Sequence, residues 1–252
     1  MNRSGFTRRR FLAAASAGTV AATVGSPLVA SSNVSQKLAI HGGAPVHQGG
    51  WPDWPIWDAA RDEERVLKVL RSGVWSRSSV VAEFEAKYAA LMGTKGCLAT
   101  TNGTNALFTA LSALDIGAGD EVLVSAYTFV ATVDAILLVG ALPVFVDTDR
   151  ETFTVDPAAM EARITENTRA ILPVHILGLP ADMEKITALA KKHQLRIVED
   201  ACQAWMAEWR GKKCGSIGDL GCFSFQNSKN LACGEGGAVI GNDERLMDIC
   251  RS

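Results

Sequence analysis

The sequence predicts an α/β fold in which a mainly parallel sheet carries helices on both faces. Apolar residues make up 48% of the 252 positions, so the chain can bury a core of ordinary size. Helical segments separate several short β-rich runs, and this strand, helix, strand order is typical of parallel sheets. The predicted strands are residues 121–125, 143–147, 170–175, 196–199, 221–225 and 238–241. Because ligands of such sheets bind beyond the carboxyl ends of the strands, the residues that follow each strand are the candidate site residues.

Residues 1–32 have the composition of an export signal. They contain four arginines and no acidic residue, and the sequence TRRRFL at 7–12 precedes a weakly apolar stretch that ends near Gly25. This pattern is typical of a twin-arginine signal, so we expect export by that pathway, with cleavage near residues 30–32. An uncleaved membrane anchor is the alternative, although the apolar stretch is shorter than the roughly 20 residues that span a bilayer.

The rest of the chain divides into an arm and one large domain. Residues 33–57 are rich in glycine, proline and tryptophan, which predicts an N-terminal arm. A helical period runs over residues 58–71 and again over 80–91, and a glycine follows each stretch within two residues. We therefore predict a large domain over residues 58–252. Because the chain stops soon after a helix that starts near Asp243, we expect this domain to be incomplete at its C-terminus.

Charge and cysteine spacing exclude several classes of function. Outside residues 1–32 the chain has 21 basic and 27 acidic residues and no basic stripe, which argues against a nucleic-acid surface. The six cysteines form no CxxC motif and the four histidines lie far apart, so we assign no metal site. Small molecules are the partners that we expect.

The first candidate segment is residues 101–107, where a glycine-bearing turn opens an apolar helix. Exposed amides and the helix dipole at such a turn bind anions, so Gly103, Thr104 and Asn105 are candidates for binding a phosphate. Taken alone, the segment fits a plain N-cap better, in which a Thr or Asn side chain accepts the first amides of the helix.

The second candidate segment follows the predicted strand 121–125 with aromatic residues. Tyr127, Thr128 and Phe129 come directly after this apolar strand, and an aromatic side chain there can stack on a flat ring. By themselves, aromatic residues at the end of a strand more often belong to the core.

The third candidate segment is a strand that ends in two carboxylates, Glu199 and Asp200. Strands of a parallel sheet are covered on both faces, so an acid at the exit must be paired or functional. A carboxylate that faces a pyridine nitrogen keeps this nitrogen protonated, as an electron-sink cofactor requires. From these residues alone, an N-cap for the next segment is an equally good interpretation.

The fourth candidate segment carries a single lysine, Lys229, between an aromatic strand and the glycine-rich residues 234–237. A partly buried lysine tends to lose its proton, which makes it a nucleophile toward an aldehyde. Most lysines are solvated surface charges, and only the apolar, glycine-rich setting favours the functional interpretation here.

Together these segments resemble the DegT/DnrJ/EryC1/StrS family of sugar and cyclitol aminotransferases, which have the type I aminotransferase fold and use pyridoxal 5'-phosphate. The resemblance extends from about Leu38 to the end of the chain. The matching segments are residues 42–45, 103–104, 127–129, 143–147, 174–178, 199–204 and 223–237. It implies that the chain is the large domain of this fold, without the C-terminal small domain.

The resemblance also implies catalytic roles. Lys229 would form the Schiff base with the cofactor and move protons, Asp200 would pair with the pyridine nitrogen, and Gln203 would hydrogen-bond the ring oxygen. A lysine at position 229 favours transamination, because the related sugar 3-dehydratases of this fold have histidine there.

The remaining site residues would bind the rest of the cofactor. Ser224 and the amides around Thr104 and Asn105 would bind the phosphate. Phe129 would stack on one face of the ring, and Cys202 would lie against the other face. A small residue such as alanine is usual in the family where this chain has Cys202, so the thiol is a departure from the pattern.

The resemblance further implies substrates and assembly. Glutamate or glutamine would donate the amino group, a keto sugar or keto cyclitol would accept it, and the full-length protein would be a homodimer. Three alternatives remain from different classes: another pyridoxal phosphate enzyme such as a lyase or dehydratase, a non-catalytic sensory protein of this fold, and a dimerisation module without cofactor. An exported location is unusual for the family, whose usual substrates are cytoplasmic sugar nucleotides.

Overall fold

The computed structural model describes residues 37–252, and the chain divides after Trp51 into two parts. In the first part, a single 3₁₀ turn, Ala39–His41, ends at Gly42, which adopts the left-handed conformation. The export signal predicted for residues 1–32 lies outside the described residues. No helix within residues 37–252 is long and apolar enough to cross a membrane. The arm boundary at residue 57 stays a prediction.

A seven-stranded sheet forms the centre of residues 52–252. Its strands are β1 (Gly96–Thr100), β2 (Glu121–Ser125), β3 (Leu142–Val146), β4 (Thr168–Leu172), β5 (Arg196–Asp200), β8 (Leu220–Ser224) and β9 (Gly237–Gly241). They lie side by side in the order β1-β9-β8-β5-β4-β2-β3. The short strands β6 (Glu208–Trp209) and β7 (Lys212–Lys213) form a separate antiparallel ribbon. Strands β3, β2, β4, β5 and β8 are parallel, which confirms the mainly parallel sheet.

One strand, β9, runs against the others and begins at the edge of the sheet where the parallel strands end. Strand β9 is antiparallel to β8 and to β1, with Gly237 opposite both Ser224 and Thr100. The first residue of β9 and the last residues of β1 and β8 therefore meet at this edge. A parallel sheet collects the carboxyl ends of its strands there, so the segments that follow β1, β5 and β8 converge.

Helices flank the sheet, and acidic or amide N-caps begin most of them. The helices are α1 (Ala59–Ser72), α2 (Ser79–Met92), α3 (Gly103–Ala113), α4 (Val130–Leu138), α5 (Pro157–Met160), α6 (Met183–His193) and α7 (Glu244–Arg251). Asp58, Asn102 and Asp243 each accept backbone N–H groups in the first turn of the helix that follows. The first two helices lie within one residue of the predicted bounds, because period and caps agree there.

The core has an apolar layer on each face of the sheet. Side chains alternate along a strand, so Val122 and Val124 pack in one layer with Leu111 of α3, while Leu123 packs in the other with Ile186 of α6. A third cluster around β1, β8 and β9 is aromatic, and in it the rings of Tyr88 and Phe223 make an edge contact. Helices are thus anchored on both faces, as predicted.

The structure corrects two details of the predicted strands. Strand β1 was not predicted, since its five residues GCLAT carry few β-branched side chains and pair only with the distant β9. The strand predicted over 170–175 ends at Leu172 instead. Beyond Pro173, only Val174 makes an isolated bridge, to Asp200, and the chain then turns through Ile176–Gly178.

Candidate active site

A cavity of about 370 Å³ lies where the segments following β1, β2, β5 and β8 converge. Eight of the nine candidate residues line it: Gly103, Thr104, Phe129, Asp200, Cys202, Gln203, Ser224 and Lys229. The ninth, Asn105, is exposed and is not part of the cavity wall. The topology of the sheet therefore brings together residues that lie up to 126 positions apart in the sequence.

The first turn of α3 forms one wall of the cavity. The side chain of Asn102 accepts the backbone N–H of Asn105 at 2.9 Å, and the Asn105 side chain donates to the hydroxyl of Thr101. This is the N-cap interpretation of the segment. The N–H groups of Gly103 and Thr104 belong to the first turn, which has no intrahelical acceptors, so they remain available to an anion in the cavity.

Gly103 permits the close approach of α3 to the ends of β5 and β8. A Cβ atom on this residue would lie 2.8 Å from the Cβ of Ser224 and 2.9 Å from the Sγ of Cys202. Such separations are far below van der Waals contact, so any side chain would push these walls apart. The Ser224 hydroxyl, which accepts the Gln226 N–H at 3.4 Å, thus lies beside the amides of the first turn.

Asp200 is 5% exposed at the end of β5, and its carboxylate has two protein donors. The Thr132 hydroxyl donates to Oδ2 at 2.7 Å, and the backbone N–H of Cys202 donates to Oδ1 at 3.1 Å. The Thr128 hydroxyl lies 2.7 Å from that of Thr132. Thr128 belongs to the second candidate segment but had no predicted role, and Thr132 was not predicted, although a spacing of four at the start of a helix puts the two on one face.

Glu199 points to the opposite face of β5 and is fully buried. Its carboxylate accepts the N–H groups of Gly215, Ile217 and Gly218 at 2.6 to 2.7 Å and lies 2.9 Å from Nε2 of His175. The Nδ1 of His175 accepts the Ala181 N–H, so the ring carries its proton on Nε2 and donates it to Glu199. This acid is paired within the protein and takes no part in the cavity.

Gln203 is oriented by a strained turn. Its side-chain oxygen accepts the backbone N–H of Leu177 at 2.8 Å, which leaves the side-chain NH₂ group free to donate toward the cavity. Leu177 has a φ of 53° and is 79% exposed, an unfavourable combination for a leucine. The turn thus supports the predicted hydrogen bond from Gln203 to a ligand oxygen.

Lys229 is half-buried and lines the cavity from a tight turn after β8. Its backbone N–H donates to Gln226 at 2.9 Å, and its backbone carbonyl accepts the indole N–H of Trp54 at 3.2 Å. Trp54 belongs to the segment predicted as an arm, and this contact with the lysine turn was not foreseen. Further polar residues of the cavity wall lie in the first and fourth candidate segments but had no predicted role: Asn102, Gln226, Ser228 and Glu235.

The two residues predicted to sandwich a ring differ in exposure. Phe129 is 62% exposed at the mouth of the cavity, where it precedes α4. Cys202 is half-buried, and burial raises the pKa of its thiol well above the ordinary value, with the charge of Asp200 acting in the same direction. The thiol therefore stays protonated at neutral pH, and it serves as an apolar surface better than as a nucleophile.

This set of groups suits one kind of ligand. A buried carboxylate can pair with a protonated ring nitrogen, an amine can bond an aldehyde, and the amides of a helix N-terminus beside a hydroxyl can bind a phosphate. A flat, phosphorylated pyridine aldehyde has all three features. The roles of the individual residues stay predictions.

Comparisons with known proteins point in the same direction. A model of the DegT/DnrJ/EryC1/StrS aminotransferase family matches residues 57–252. Over 217 residues the chain is 44% identical to L-glutamine:2-deoxy-scyllo-inosose aminotransferase of Streptomyces lividus, which covers 83% of this chain and 51% of that relative. Over 163 residues it is 53% identical to UDP-N-acetyl-3-dehydro-alpha-D-glucosamine 3-aminotransferase of Acidithiobacillus ferrooxidans, covering 64% of this chain and 44% of that relative.

A solved structure has the same fold. The crystal structure of NtdA from Bacillus subtilis with bound cofactor PMP superimposes with a TM-score of 0.71 at 34% sequence identity. The match covers 75% of this chain and 42% of that one. The chain thus spans about half the length of the relatives it matches.

Proposed function

Because the chain belongs to the DegT/DnrJ/EryC1/StrS aminotransferase family, we propose that the full-length protein is a pyridoxal-phosphate-dependent transaminase. It moves an amino group from glutamate or glutamine to a keto sugar or keto cyclitol. The observation that carries this proposal is the convergence of Lys229, Asp200 and the first turn of α3 on one cavity. The names of the two relatives, a glutamine-dependent inosose aminotransferase and a dehydro-sugar aminotransferase, support the substrate classes.

The residues of the cavity fit the cofactor. Pyridoxal phosphate supplies an electron sink that stabilises negative charge on the carbon next to the transferred nitrogen. Asp200, held as an acceptor by two donors, would bind the protonated pyridine nitrogen, and Ser224 with the Gly103 and Thr104 amides would bind the phosphate. The free NH₂ of Gln203 would donate to the ring oxygen, and Phe129 and Cys202 would cover the two faces of the ring.

Lys229 has two tasks in this proposal. Its amine would hold the cofactor through the aldehyde carbon, and when an amino donor takes that place, the freed amine would carry a proton between two carbons. The Lys229 turn is anchored through its backbone by Gln226 and Trp54, so the side chain can move while its base remains in place. A lysine that binds a cofactor and also moves a proton needs a fixed backbone and a mobile side chain.

The decisive experiment uses the visible spectrum of the full-length protein. With pyridoxal phosphate added, we expect an absorption band of lysine-bound cofactor, and mass spectrometry after borohydride reduction should find the cofactor on Lys229. Addition of glutamate or glutamine should then shift the band toward the pyridoxamine form. Lys229→Ala should abolish the band, while Lys191→Ala, which changes an exposed lysine of α6 outside the cavity wall, should keep it.

Each other result would favour a different function. A band that forms and is unchanged by amino donors favours a lyase, a dehydratase or a sensory protein. Absence of any band in the full-length protein would refute a pyridoxal phosphate enzyme and leave a dimerisation module. Transaminase activity retained by Lys229→Ala would refute the role of this lysine.

The proposal includes a homodimer. Helix α1 has no buried residue, and its Val66 and Leu70 are exposed together with the nearby Trp75, so apolar surface is left for a partner. Sedimentation of the full-length protein at micromolar concentration should give twice the chain mass. A single-chain mass under these conditions would contradict the dimer.

The proposal also includes export by the twin-arginine pathway, which carries proteins across the membrane already folded. The arginine motif at residues 8–10 supports it. In a bacterial host with this pathway, the protein should be found outside the cytoplasm with its cofactor bound. Replacing Arg8 and Arg9 by lysine together should retain it in the cytoplasm. If the original protein and the double variant were found in the same compartments in the same proportions, export by this pathway would be contradicted.

A further inference from the structure

Two threonine hydroxyls lead from the start of α4 to the carboxylate of Asp200. Thr132 is 1% exposed, and its hydroxyl lies 2.7 Å from Oδ2 of Asp200 and 2.7 Å from the hydroxyl of Thr128. A hydroxyl has one proton, and an ionised carboxylate only accepts. Thr132 therefore donates to Asp200, and Thr128 donates to Thr132, so the direction of the chain is determined.

This chain of hydroxyls restricts how the carboxylate can turn. One oxygen of Asp200 accepts from Thr132, and the other accepts the Cys202 N–H on the opposite side. With both oxygens held, the plane of the carboxylate is determined, and its remaining lone pairs are left for a ligand in the cavity that Asp200 and Thr132 both line.

The same threonines join two parts of the site. The Thr132 N–H donates to the carbonyl of Phe129 at 3.0 Å, so the residue that holds Asp200 also closes the turn that presents the aromatic ring. Thr128 and Thr132 flank this turn on both sides. The carboxylate and the predicted stacking residue therefore share one anchor.

We propose that Thr132, supported by Thr128, is a positioning residue that holds the Asp200 carboxylate toward the pyridine nitrogen of the cofactor. This inference rests on the proposed function, because it needs pyridoxal phosphate in the cavity. Neither threonine would touch the reacting atoms. Thr132 contacts Asp200, and Thr128 contacts Thr132. A hydroxyl that merely ties α4 to β5 would influence every ligand of the cavity equally.

The test compares two ligands on the full-length protein. One is pyridoxal phosphate, and the other is its 1-deaza analogue, in which carbon replaces the pyridine nitrogen. Thr132→Val keeps the shape of the side chain and removes the hydroxyl. We expect it to weaken pyridoxal phosphate about tenfold, equivalent to about 1.4 kcal/mol, and the analogue less than about threefold. Dissociation constants follow from fluorescence titration.

Three further variants complete the test. Thr132→Ser keeps the hydroxyl and should restore binding of pyridoxal phosphate. Thr128→Val removes only the second hydroxyl and should weaken it about threefold, less than Thr132→Val does. The matched control is Thr154→Val, since Thr154 is also buried, its hydroxyl pairs with Thr152 at 3.0 Å, and it lies outside the cavity. It should leave both constants unchanged.

The outcomes separate this proposal from the proposed function. Equal weakening of both ligands by Thr132→Val, or no weakening of either, would overturn the positioning role while leaving the transaminase intact. If the unaltered protein binds neither ligand, the proposed function fails and the positioning role with it. Should Thr132→Val not fold, Thr128→Val decides, with Thr132→Ser as its control. Weaker preference for pyridoxal phosphate over the analogue in Thr128→Val alone supports the role, and unchanged preference in Thr128→Val would overturn it.

Discussion

Glu199 and Asp200 are adjacent residues at the end of β5, and their surroundings differ completely. Both are buried, at 0% and 5% exposed. Glu199 receives four donors from His175 and from the backbone of residues 215–218, all within 2.9 Å. Asp200 receives two donors, and the rest of its carboxylate faces a cavity of about 370 Å³. One acid is closed off by the protein, and the other is open to a ligand.

The comparison teaches that burial alone does not identify a functional acid. A buried carboxylate is costly unless its charge is compensated, and Glu199 obtains this compensation from neighbouring backbone. Asp200 is compensated only in part, and a cationic ligand would supply the remainder. The number of protein donors, together with the space in front of the group, therefore separates a structural acid from a binding one.

Two glycines, Gly215 and Gly218, let the loop around Glu199 pack closely against its neighbours. A Cβ on Gly215 would lie 2.5 Å from the ring of Phe223, and this residue has a φ of +87°. A Cβ on Gly218 would lie 2.7 Å from Ile197. The backbone can therefore approach the carboxylate closely enough to donate three N–H groups, which side chains at these positions would prevent.

The largest effect is expected on the open side, from Asp200→Asn. An amide can accept from Thr132 but does not carry the negative charge that keeps a pyridine nitrogen protonated. We expect the amino-donor half-reaction to slow by about a hundredfold or more, with folding retained. Stopped-flow absorbance of the cofactor band measures the rate, and Asp243→Asn, an exposed helix cap outside the cavity, is the control. An unchanged rate would mean that Asp200, like Glu199, takes no part in the reaction.

On the closed side, Glu199→Gln should reduce stability rather than chemistry. Its NH₂ group would face the backbone donors of residues 215–218 and leave part of them unsatisfied, which costs about 2 kcal/mol. For a chain of this size, the melting temperature should fall by about 4–8 °C, as measured by circular dichroism. The half-reaction rate, measured well below that temperature, should stay within about threefold of the original. If Glu199→Gln kept its stability and lost its activity, Glu199 would be a functional acid and not a structural one.

A smaller effect is expected where the cavity wall is tightest, from Gly103→Ala. The new Cβ would press on Ser224 and Cys202, so the first turn of α3 must move away from β8. Affinity for pyridoxal phosphate should fall about tenfold, which titration of the absorption band measures. Gly50→Ala introduces the same methyl group in open surroundings and should have no effect. Equal affinity in both variants would show that the phosphate binds elsewhere.

The smallest effect is expected from Cys202→Ala. Because burial raises the pKa of this thiol well above its ordinary value, the group is uncharged at every pH below that value and gains no charge between pH 7 and 9. The dissociation constant of pyridoxal phosphate should stay within about twofold, and its pH profile from 7 to 9 should be the same in both proteins. A pH-dependent step in the original protein that is absent from Cys202→Ala would show that the thiol does ionise in this range.

Much of the fold could be predicted from local patterns. The strand at 121–125 coincides with β2, and the first two helices lie within one residue of prediction, because apolar period and caps agree over these stretches. Strand β1 could not be predicted, since its residues have little strand preference and are held by the distant β9. Local patterns indicate elements, whereas pairing between distant segments needs the folded chain.

For the site, the sequence alone determined the order of residue types along the chain: the two carboxylates that end β5, the lysine that follows β8 and the glycine-bearing turn at residues 101–107. The order of residues along the chain is the sequence itself and needs no folded structure. Only the tertiary structure decided that Glu199 is closed off while Asp200 faces the cavity, that Thr132 holds Asp200, and that Trp54 reaches the Lys229 turn. These partners lie 16, 68 and 175 residues apart, and such contacts depend on how strands and loops pack together, which no local period encodes.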